Sequence, residues 1–341
     1  MQERIAVVTG ANAGLGYQTT RALAQKGYRV VMACRNETKA AKAREELLAE
    51  APAAAIEVLR LDQSEPDSIR GFVDGFARRH GQLDLLVNNA GIVGLPLSRN
   101  SVGHELQMAT NYLGVFALTG LLLPLFRGDA PGRIVNVGSL AHRQGKMDLD
   151  DLNWETGEYK PMGAYGRSKL AVMAWTLELD ARLRAAGSPV MALSAHPGFA
   201  ATEIGTNNPN PMINPQNPVG KWFQNQVRRF IPTAEEAARP TLHAACSETV
   251  HGGEYYGPGG FMEIGGAPAP AKICCSHHGS ASHEQCSYQC WAAAPDESEH
   301  AWEQWDTLAN PGSVSVPTKG RRAKSGTVQS QAKPIKQIVH R

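Results

Sequence analysis

The chain has 341 residues, of which 42% are apolar and 19% charged, and its formal net charge is +2. This composition is typical of a globular protein that is long enough to bury a substantial core. Seven Lys and Arg residues and no Asp or Glu lie between positions 317 and 341, so the rest of the chain is slightly acidic. A nucleic-acid-binding face on the main body is therefore not expected.

Short apolar runs alternate with longer helical patterns from the N terminus onwards, and the runs are continuously apolar, as in strands covered on both faces. The predicted strands are "RIAVVTG", "YRVVMACR", "IEVLRLD", "LDLLVNNAG", "GRIVNVGS", "PVMALSAHPG" and "EYYGPGGFMEI". The predicted helices cover residues 15–26, 37–51, 64–79, 105–126 and 163–186, and a last one follows the capping-box pattern of Thr233 with Glu236. The alternation predicts an α/β fold: one Rossmann-type domain over residues 1–266, with a doubly wound parallel sheet.

Location follows from the same patterns. A first strand from about the fourth residue leaves no room ahead of it for a signal peptide. The longest nearly uncharged run, residues 112–126, is shorter than the roughly 18 residues of a spanning helix, so no membrane span is expected. Cys34 and Cys246 stand alone, which favours a reducing compartment, and we expect a cytoplasmic protein.

The turn after the first strand contains three glycines, Gly10, Gly14 and Gly16. Glycine at this place lets the backbone approach a pyrophosphate at the N terminus of the following helix. The second strand ends in Arg35, where many NAD-binding sheets have an acidic residue for the ribose 2′-hydroxyl. A guanidinium there suits a 2′-phosphate, so we expect NADP(H) rather than NAD(H); a solvated arginine at a strand end is the alternative.

A tyrosine and a lysine share one face of the predicted helix over residues 163–186. Tyr165 lies four residues before Lys169, one turn away. A lysine stem lying over an aromatic ring is the plain explanation of such a pair. The functional one is a proton donor, because a neighbouring ammonium lowers the pKa of a tyrosine from about 10 towards neutrality.

These motifs together resemble those of the short-chain dehydrogenase/reductase family in its single-domain form. "TGANAGLG" is similar to its cofactor turn, "NNAG" to its fourth-strand motif, "LDQS" to its adenine contact and "HPGFAAT" to the segment beside the nicotinamide. The resemblance implies a catalytic set of Asn111, Ser139, Tyr165 and Lys169. The implied cofactor-binding residues are Gly10, Asn12, Ala13, Gly14, Leu15, Gly16, Arg35, Asn36, Asp62, Gln63, Asn89, Ala90, Gly91, Tyr165, Lys169, Pro197, Gly198 and Thr202.

The family's chemistry supplies a role for each catalytic residue. Tyr165 is the expected general acid/base, and Lys169 lowers its pKa and binds the nicotinamide ribose. Ser139 stabilises the substrate oxygen. Asn111 holds a water in a proton relay or, alternatively, fixes its own helix as a buried polar residue.

One spacing points to a branch of the family. Ser139 and Tyr165 are 26 residues apart, and together with "ACRN" and "HPG" this long insertion resembles the retinol-dehydrogenase-like branch. That resemblance implies a small lipophilic alcohol or carbonyl substrate and NADP(H). Relatives often dimerise whereas members of this branch can be monomeric, so a homodimer and a monomer both stay open.

Two regions do not follow the strand–helix rhythm. Residues 203–232 are rich in Asn and Pro but contain Trp222, Phe223 and Phe230, which favours a substrate lid over a plain surface flap. Residues 267–341 form an atypical extension, expected to be largely disordered after about 310. Four of its residues are cysteines at 274, 275, 286 and 290; without a paired C-x-x-C arrangement, no metal site is expected.

The leading hypothesis is an NADP(H)-dependent enzyme that interconverts an alcohol and a ketone or aldehyde. A catalytically weak, cofactor-binding regulatory protein of the same fold is the alternative, although such a sensor would need no proton donor. The basic tail leaves a nucleic-acid-binding role open, and loss of salt-sensitive binding on deletion of residues 312–341 would reveal it.

Overall fold

The strands form a single eight-stranded sheet in the order β3-β2-β1-β4-β5-β6-β7-β8. The computed structural model describes residues 3–198 and 232–273. Neighbouring strands are parallel except for β8, which runs antiparallel to β7. The strands are β1 Arg4–Thr9, β2 Tyr28–Cys34, β3 Ile56–Arg60, β4 Leu85–Asn88, β5 Gly132–Val137, β6 Val190–Ala195, β7 Tyr255–Pro258 and β8 Pro268–Pro270. This topology confirms the predicted Rossmann-type α/β fold.

Within the described residues, the main helical segments between the strands are six. They are α1 Gly14–Gln25, α2 Glu37–Glu50, α3 Pro66–His80, α4 Leu106–Leu125, α5 Pro161–Ala185 and α6 Ala234–Cys246. The predicted capping box at the start of α6 is confirmed: the Thr233 side chain accepts from the Glu236 amide, and the Glu236 carboxylate accepts from the Thr233 amide.

The sheet separates two apolar layers, because successive residues of a strand point to opposite faces. On one face Val7 and Ile134 pack with Phe76 of α3, Tyr112 of α4 and Trp175 of α5. On the other face the alternate strand residues pack against α1, α2 and α6; examples are Val8, Val135, Leu23, Leu47 and Ala244. The continuously apolar strands are therefore explained by helices on both sides.

Helix α4 is not a uniform α-helix. Its middle turn, Ala109–Leu113, is a π-helix that contains Asn111, between the α-helical Leu106–Met108 and Gly114–Leu122. Among the described residues, α4 is the one helix long and apolar enough to cross a membrane, but most of it is buried in the fold. Because a buried core helix has the same composition, this is weak evidence for a span.

The sheet continues beyond the predicted domain boundary at residue 266. The last strand, β8, pairs Pro270 with Tyr256 and Pro268 with Pro258. A proline-rich segment is compatible with an edge strand, where the missing amide donors face away from the ladder. Thr202, the 203–231 part of the predicted lid and the cysteines from Cys274 onwards lie outside the described residues.

Candidate active site

The site lies where the sheet changes its direction of winding. The carboxyl ends of β1 and β4 are neighbours at this point, and open α/β sheets bind ligands in such a crevice. A cavity of about 550 Å³ opens there. The predicted cofactor residues that line it are Gly10, Asn12, Ala13, Gly14, Leu15, Gly16, Arg35, Asn36, Asp62, Gln63, Asn89, Ala90 and Gly91.

The glycine turn has the shape that a pyrophosphate requires. Gly10 and Gly14 have φ values of +64° and +54°, in the left-handed region that favours glycine. A Cβ on Gly16 would overlap the carbonyl oxygen of Gly10. Helix α1 starts without a side-chain cap and without an acidic residue in its first turn, so its first amides are free to bind an anion. The turn therefore fits a dinucleotide phosphate.

Two positively charged side chains lie at the end of the cavity beyond β2. The Arg35 side chain is 70% exposed, and its Nη1 lies 3.9 Å from Asp62 Oδ2. Lys39 also lines the cavity, from the first turn of α2. The Asn36 side chain caps that helix: its Oδ1 accepts from the Lys39 amide at 2.9 Å. Two mobile cations beside one carboxylate can hold an anionic group.

Gln63 also has a structural role beside the cavity. Its Nε2 donates to the carbonyl oxygens of Thr110 at 2.7 Å and Ala90 at 3.4 Å. These two bonds join α4 to the loop that follows β4, so the side-chain amide is occupied inside the protein.

Ser139 and Tyr165 meet although 26 residues separate them. Ser139 follows the end of β5 by two residues and begins a short 3₁₀ turn, Leu140–Gln144. The Ser139 side chain lies close enough to the Tyr165 hydroxyl to lower its pKa. The two hydroxyls that the sequence predicts for the reaction are thus neighbours at the carboxyl edge of the sheet.

Burial opposes the predicted lowering of the Tyr165 pKa by Lys169, which stays a prediction. Burial raises the pKa of Tyr165, and the Ser139 hydrogen bond only partly opposes this effect. Burial also lowers the pKa of Lys169 to about 8. Lys169 therefore loses its charge before Tyr165 ionises, and its Nζ lies 5.9 Å from the Tyr165 ring centre. Desolvation outweighs the charge that spacing alone suggested.

Lys169 is held against the sheet. Its Nζ donates to the Val137 carbonyl at 2.8 Å, at the last residue of β5. A Cβ on Gly91 would lie 3.5 Å from this Nζ and 3.1 Å from Asn111 Oδ1. The lysine and the asparagine thus leave little space for a side chain at position 91, which favours glycine there.

The Asn111 side chain fixes neighbouring segments. Its Oδ1 accepts from the Ile92 amide, and its Nδ2 donates to the Ile92 carbonyl and to Ser168 Oγ, each at 2.9 Å. Ser168 Oγ in turn donates to the Tyr165 carbonyl at 2.8 Å. Both amide hydrogens of Asn111 are occupied. These contacts favour the alternative in which Asn111 is a buried polar residue that fixes its helix, rather than a proton relay through its side chain. The π-helical turn orients the Asn111 side chain towards Ile92 and Ser168.

Pro197 and Gly198 lie at the same edge as Ser139. The ends of β5 and β6 pair through Val137 and Ala195, and each predicted segment begins two residues later. Gly198 has φ +70° and donates its amide to His196 Nδ1 at 3.1 Å. The structure thus places the segment predicted for the nicotinamide next to Ser139.

Some residues of the cavity were missed by the sequence analysis: Ala33, Lys39, Leu61, Ile92, Val93, Leu95 and Thr110. Lys39 carried a usable signal, since it lies four residues after Arg35 at the start of a helix. The apolar Ile92, Val93 and Leu95 directly follow the "NNAG" motif, but their sequence did not show which side of the loop faces the cavity.

Comparison with known proteins identifies the family of the chain. A family model described as short chain dehydrogenase matches residues 4–212, more than half of the chain. Retinol dehydrogenase 13 of Homo sapiens is 42% identical over 199 residues, which are 58% of this chain and 60% of that protein. Retinol dehydrogenase 12 of Homo sapiens is 37% identical over 255 residues, 74% of this chain and 77% of that protein.

A solved structure is similar over nearly the whole fold. A crystal structure of an uncharacterized protein from Mycobacterium Paratuberculosis is 35% identical, with a TM-score of 0.65, and the match covers 90% of this chain and 93% of that chain. The chain spans about 60% of the length of retinol dehydrogenase 13. The matched model, the relatives and the fold agree: the chain belongs to the short-chain dehydrogenase family, in the retinol-dehydrogenase-like branch.

Proposed function

We propose that the protein is an NADP(H)-dependent oxidoreductase that interconverts an alcohol and a ketone or aldehyde. The observation that carries this proposal is the position of the Ser139 side chain beside the buried Tyr165 hydroxyl, at the cofactor edge of the sheet. Two hydroxyl groups side by side can bind one carbonyl oxygen and deliver a proton to it.

A bound nicotinamide would supply or accept the hydride. In the reducing direction, Ser139 Oγ donates a hydrogen bond to the carbonyl oxygen, and Tyr165 Oη gives that oxygen its proton as negative charge develops there. Because the Tyr165 pKa is raised, the hydroxyl is protonated at neutral pH and suited to reduction. Alcohol oxidation needs the deprotonated form, so it would be favoured as the pH rises.

Lys169 would hold the cofactor rather than tune the tyrosine. One of its hydrogens is directed to the Val137 carbonyl, and an ammonium has two further donors. These donors suit the hydroxyl groups of the nicotinamide ribose. The glycine turn and the first amides of α1 would bind the pyrophosphate.

The preference for NADP(H) rests on Arg35 together with Lys39. Both side chains are exposed at the rim of the cavity, beyond the end of β2. Their combined charge suits a 2′-phosphate, whereas Asp62 alone would suit a ribose hydroxyl.

The substrate is proposed to be lipophilic. Ile92, Val93 and Leu95 give the cavity an apolar wall beyond Gly91, and such a wall favours hydrocarbon over polar groups. The relatives are named retinol dehydrogenases, so a retinoid is a reasonable first lipophilic substrate to test. A cytoplasmic location is part of this proposal, and fractionation of cells tests it.

Oxidation of NADPH and of NADH, followed against a panel of lipophilic aldehydes and ketones that includes retinal, tests the function. Turnover with preference for NADPH is the expected result. Cofactor binding without turnover on any carbonyl would contradict the enzyme and favour the regulatory alternative. Turnover with NADH alone would contradict the assignment of the 2′-phosphate site.

Cofactor affinity is expected to fall as the pH rises through about 8, because Lys169 there loses its positive charge and one of its three N–H donors. Its lowered pKa means that this loss precedes that of an ordinary lysine, so affinity is full below this pH. Above it we expect up to about a tenfold loss per pH unit. Fluorescence titration of NADPH across this range measures the effect.

A matched pair of variants identifies the titrating group. Lys169→Met should bind weakly and without this pH dependence, whereas Lys160→Met, at the exposed start of α5, should keep it. An unchanged pH dependence in Lys169→Met would contradict the assignment.

A further inference from the structure

The turn between β7 and β8 holds two consecutive residues in a backbone conformation that L-residues avoid. Met262 and Glu263 have φ values of +52° and +57°. Such a conformation costs free energy and persists where surrounding contacts over-determine it, often near functional sites. Met262 is largely exposed. Backbone hydrogen bonds such as that from the Gly260 amide to the Gly265 carbonyl close the turn, and the Glu263 side chain connects it to other segments.

The Glu263 carboxylate joins two other segments. Its Oε1 accepts from Arg143 Nη2 at 2.7 Å. Its Oε2 lies 2.9 Å from His196 Nε2, although the two atoms are not aligned as a regular hydrogen bond. One side chain thus contacts the turn after β5 and the end of β6 from its position after β7.

The Arg143 contact leads to Ser139. Arg143 lies in the 3₁₀ turn Leu140–Gln144, which Ser139 begins. In the same turn the His142 amide donates to the Ser139 carbonyl at 3.1 Å, and His142 Nδ1 lies 2.6 Å from that carbonyl. The ion pair between Arg143 and Glu263 therefore stabilises the turn that orients the Ser139 side chain.

The His196 contact leads to the segment predicted for the nicotinamide. His196 is fully buried, and its Nδ1 accepts from the Gly198 amide. Nδ1 consequently has no proton, and burial keeps the ring neutral by lowering its pKa. The remaining proton is on Nε2, the ring nitrogen that lies 2.9 Å from Glu263 Oε2. The Tyr255 ring fills the space between this histidine and His142, with ring centres 5.0 and 5.6 Å away.

We propose that Glu263 is a positioning residue for the reaction: it fixes the Ser139 turn relative to the Pro197–Gly198 segment. This inference rests on the proposed function, in which Ser139 binds the substrate oxygen. A reaction between a carbonyl carbon and a nicotinamide depends on the distance between the groups that hold each of them. Glu263 lies outside the cavity and connects the Ser139 turn with the Pro197–Gly198 segment. Its own turn is strained, and we infer that the strain is tolerated because of these contacts.

Replacing Glu263 with glutamine tests the inference, since the amide keeps the shape but has one acceptor instead of two. When the amide oxygen accepts from Arg143, the amide nitrogen faces His196 Nε2, which also carries a proton, so one of the two contacts is lost. We expect kcat for carbonyl reduction to fall about tenfold with the dissociation constant of NADPH within about twofold. In a Ser139→Ala background the same substitution should change kcat less than about twofold, because Glu263 acts through Ser139.

Glu178→Gln is the matched control. Glu178 pairs with Arg182 at 2.7 Å on α5, with side-chain exposure close to that of the Arg143 pair, but it lies in the far half of the helix from Tyr165. It should lower the melting temperature to a similar extent and leave kcat unchanged in both backgrounds. Should Glu263→Gln fail to fold, Arg143→Gln breaks the same pair, and we expect the same dependence on Ser139.

The outcomes separate the inference from the function on which it rests. A Ser139→Ala variant with wild-type kcat would overturn the proposed function and the inference with it. A large loss in Ser139→Ala, combined with an equal loss from Glu263→Gln in both backgrounds or with none in either, would overturn the inference alone. A fall in melting temperature without a fall in kcat would show that the Glu263 contacts only stabilise the fold.

Discussion

Replacing Tyr165 with phenylalanine is expected to lower kcat for carbonyl reduction by about 10²–10⁴-fold, the usual contribution of a general acid. The substitution removes the hydroxyl that donates to the substrate oxygen and keeps the ring that packs in the buried site. Affinity for NADPH should remain close to that of the wild type, because the cavity is lined mainly by the glycine turn and the strand ends. Single-turnover oxidation of NADPH measures the chemical step.

Tyr28→Phe is the control for loss of a buried phenol. Tyr28 is as buried as Tyr165, and its hydroxyl accepts from Arg4, but it lies at the amino end of β2, the opposite edge of the sheet. It should lose stability without losing kcat. If Tyr165→Phe kept wild-type turnover, Tyr165 would not be the proton donor and the proposed mechanism would fail.

Replacing Arg35 with aspartate is expected to reduce the preference for NADPH over NADH, measured as the ratio of kcat/KM values, by about 10–100-fold. The new carboxylate would repel a 2′-phosphate and would stand near Asp62, which Arg35 now faces at 3.9 Å. Adding Lys39→Glu should reverse the preference, because both cations at the rim are then replaced by anions.

The control for the change of charge is Lys42→Glu. Lys42 is exposed on the same helix, α2, three residues beyond Lys39. Its substitution should leave the cofactor ratio within about twofold, since an exposed charge outside the site is screened by salt. An equal shift in Lys42→Glu and Arg35→Asp would show that only the overall charge matters and that Arg35 makes no specific contact.

Local sequence patterns were sufficient for the fold, and the family resemblance that they carry supplied the list of candidate site residues. The three glycines of the first turn, the strand ending in Arg35 and the Thr233 capping box each depend on a few neighbouring residues. Their effects are local: backbone φ values that favour glycine, a helix N terminus, a side chain reaching three residues on. Continuous apolar strands also implied helices on both faces, as the two core layers show.

Tertiary structure alone decided the electrostatics and the supporting contacts. Spacing placed Lys169 beside Tyr165 and predicted a lowered pKa, but the sign of a pKa shift depends on desolvation, which is a property of the packed site. Asn111 could be a relay or a fixing residue until its amide hydrogens were found occupied.

The contacts of Glu263 show the same limit most clearly. Arg143, His196 and Glu263 lie on three segments that are far apart in the chain, and nothing in the local sequence of any one points to the others. The sequence by itself determined the order of the elements and which residues end at the reactive edge, because periodicity and turn chemistry are local. Long-range packing decided which of these residues are in contact and how strongly burial shifts their pKa values, because it brings distant segments together and excludes water.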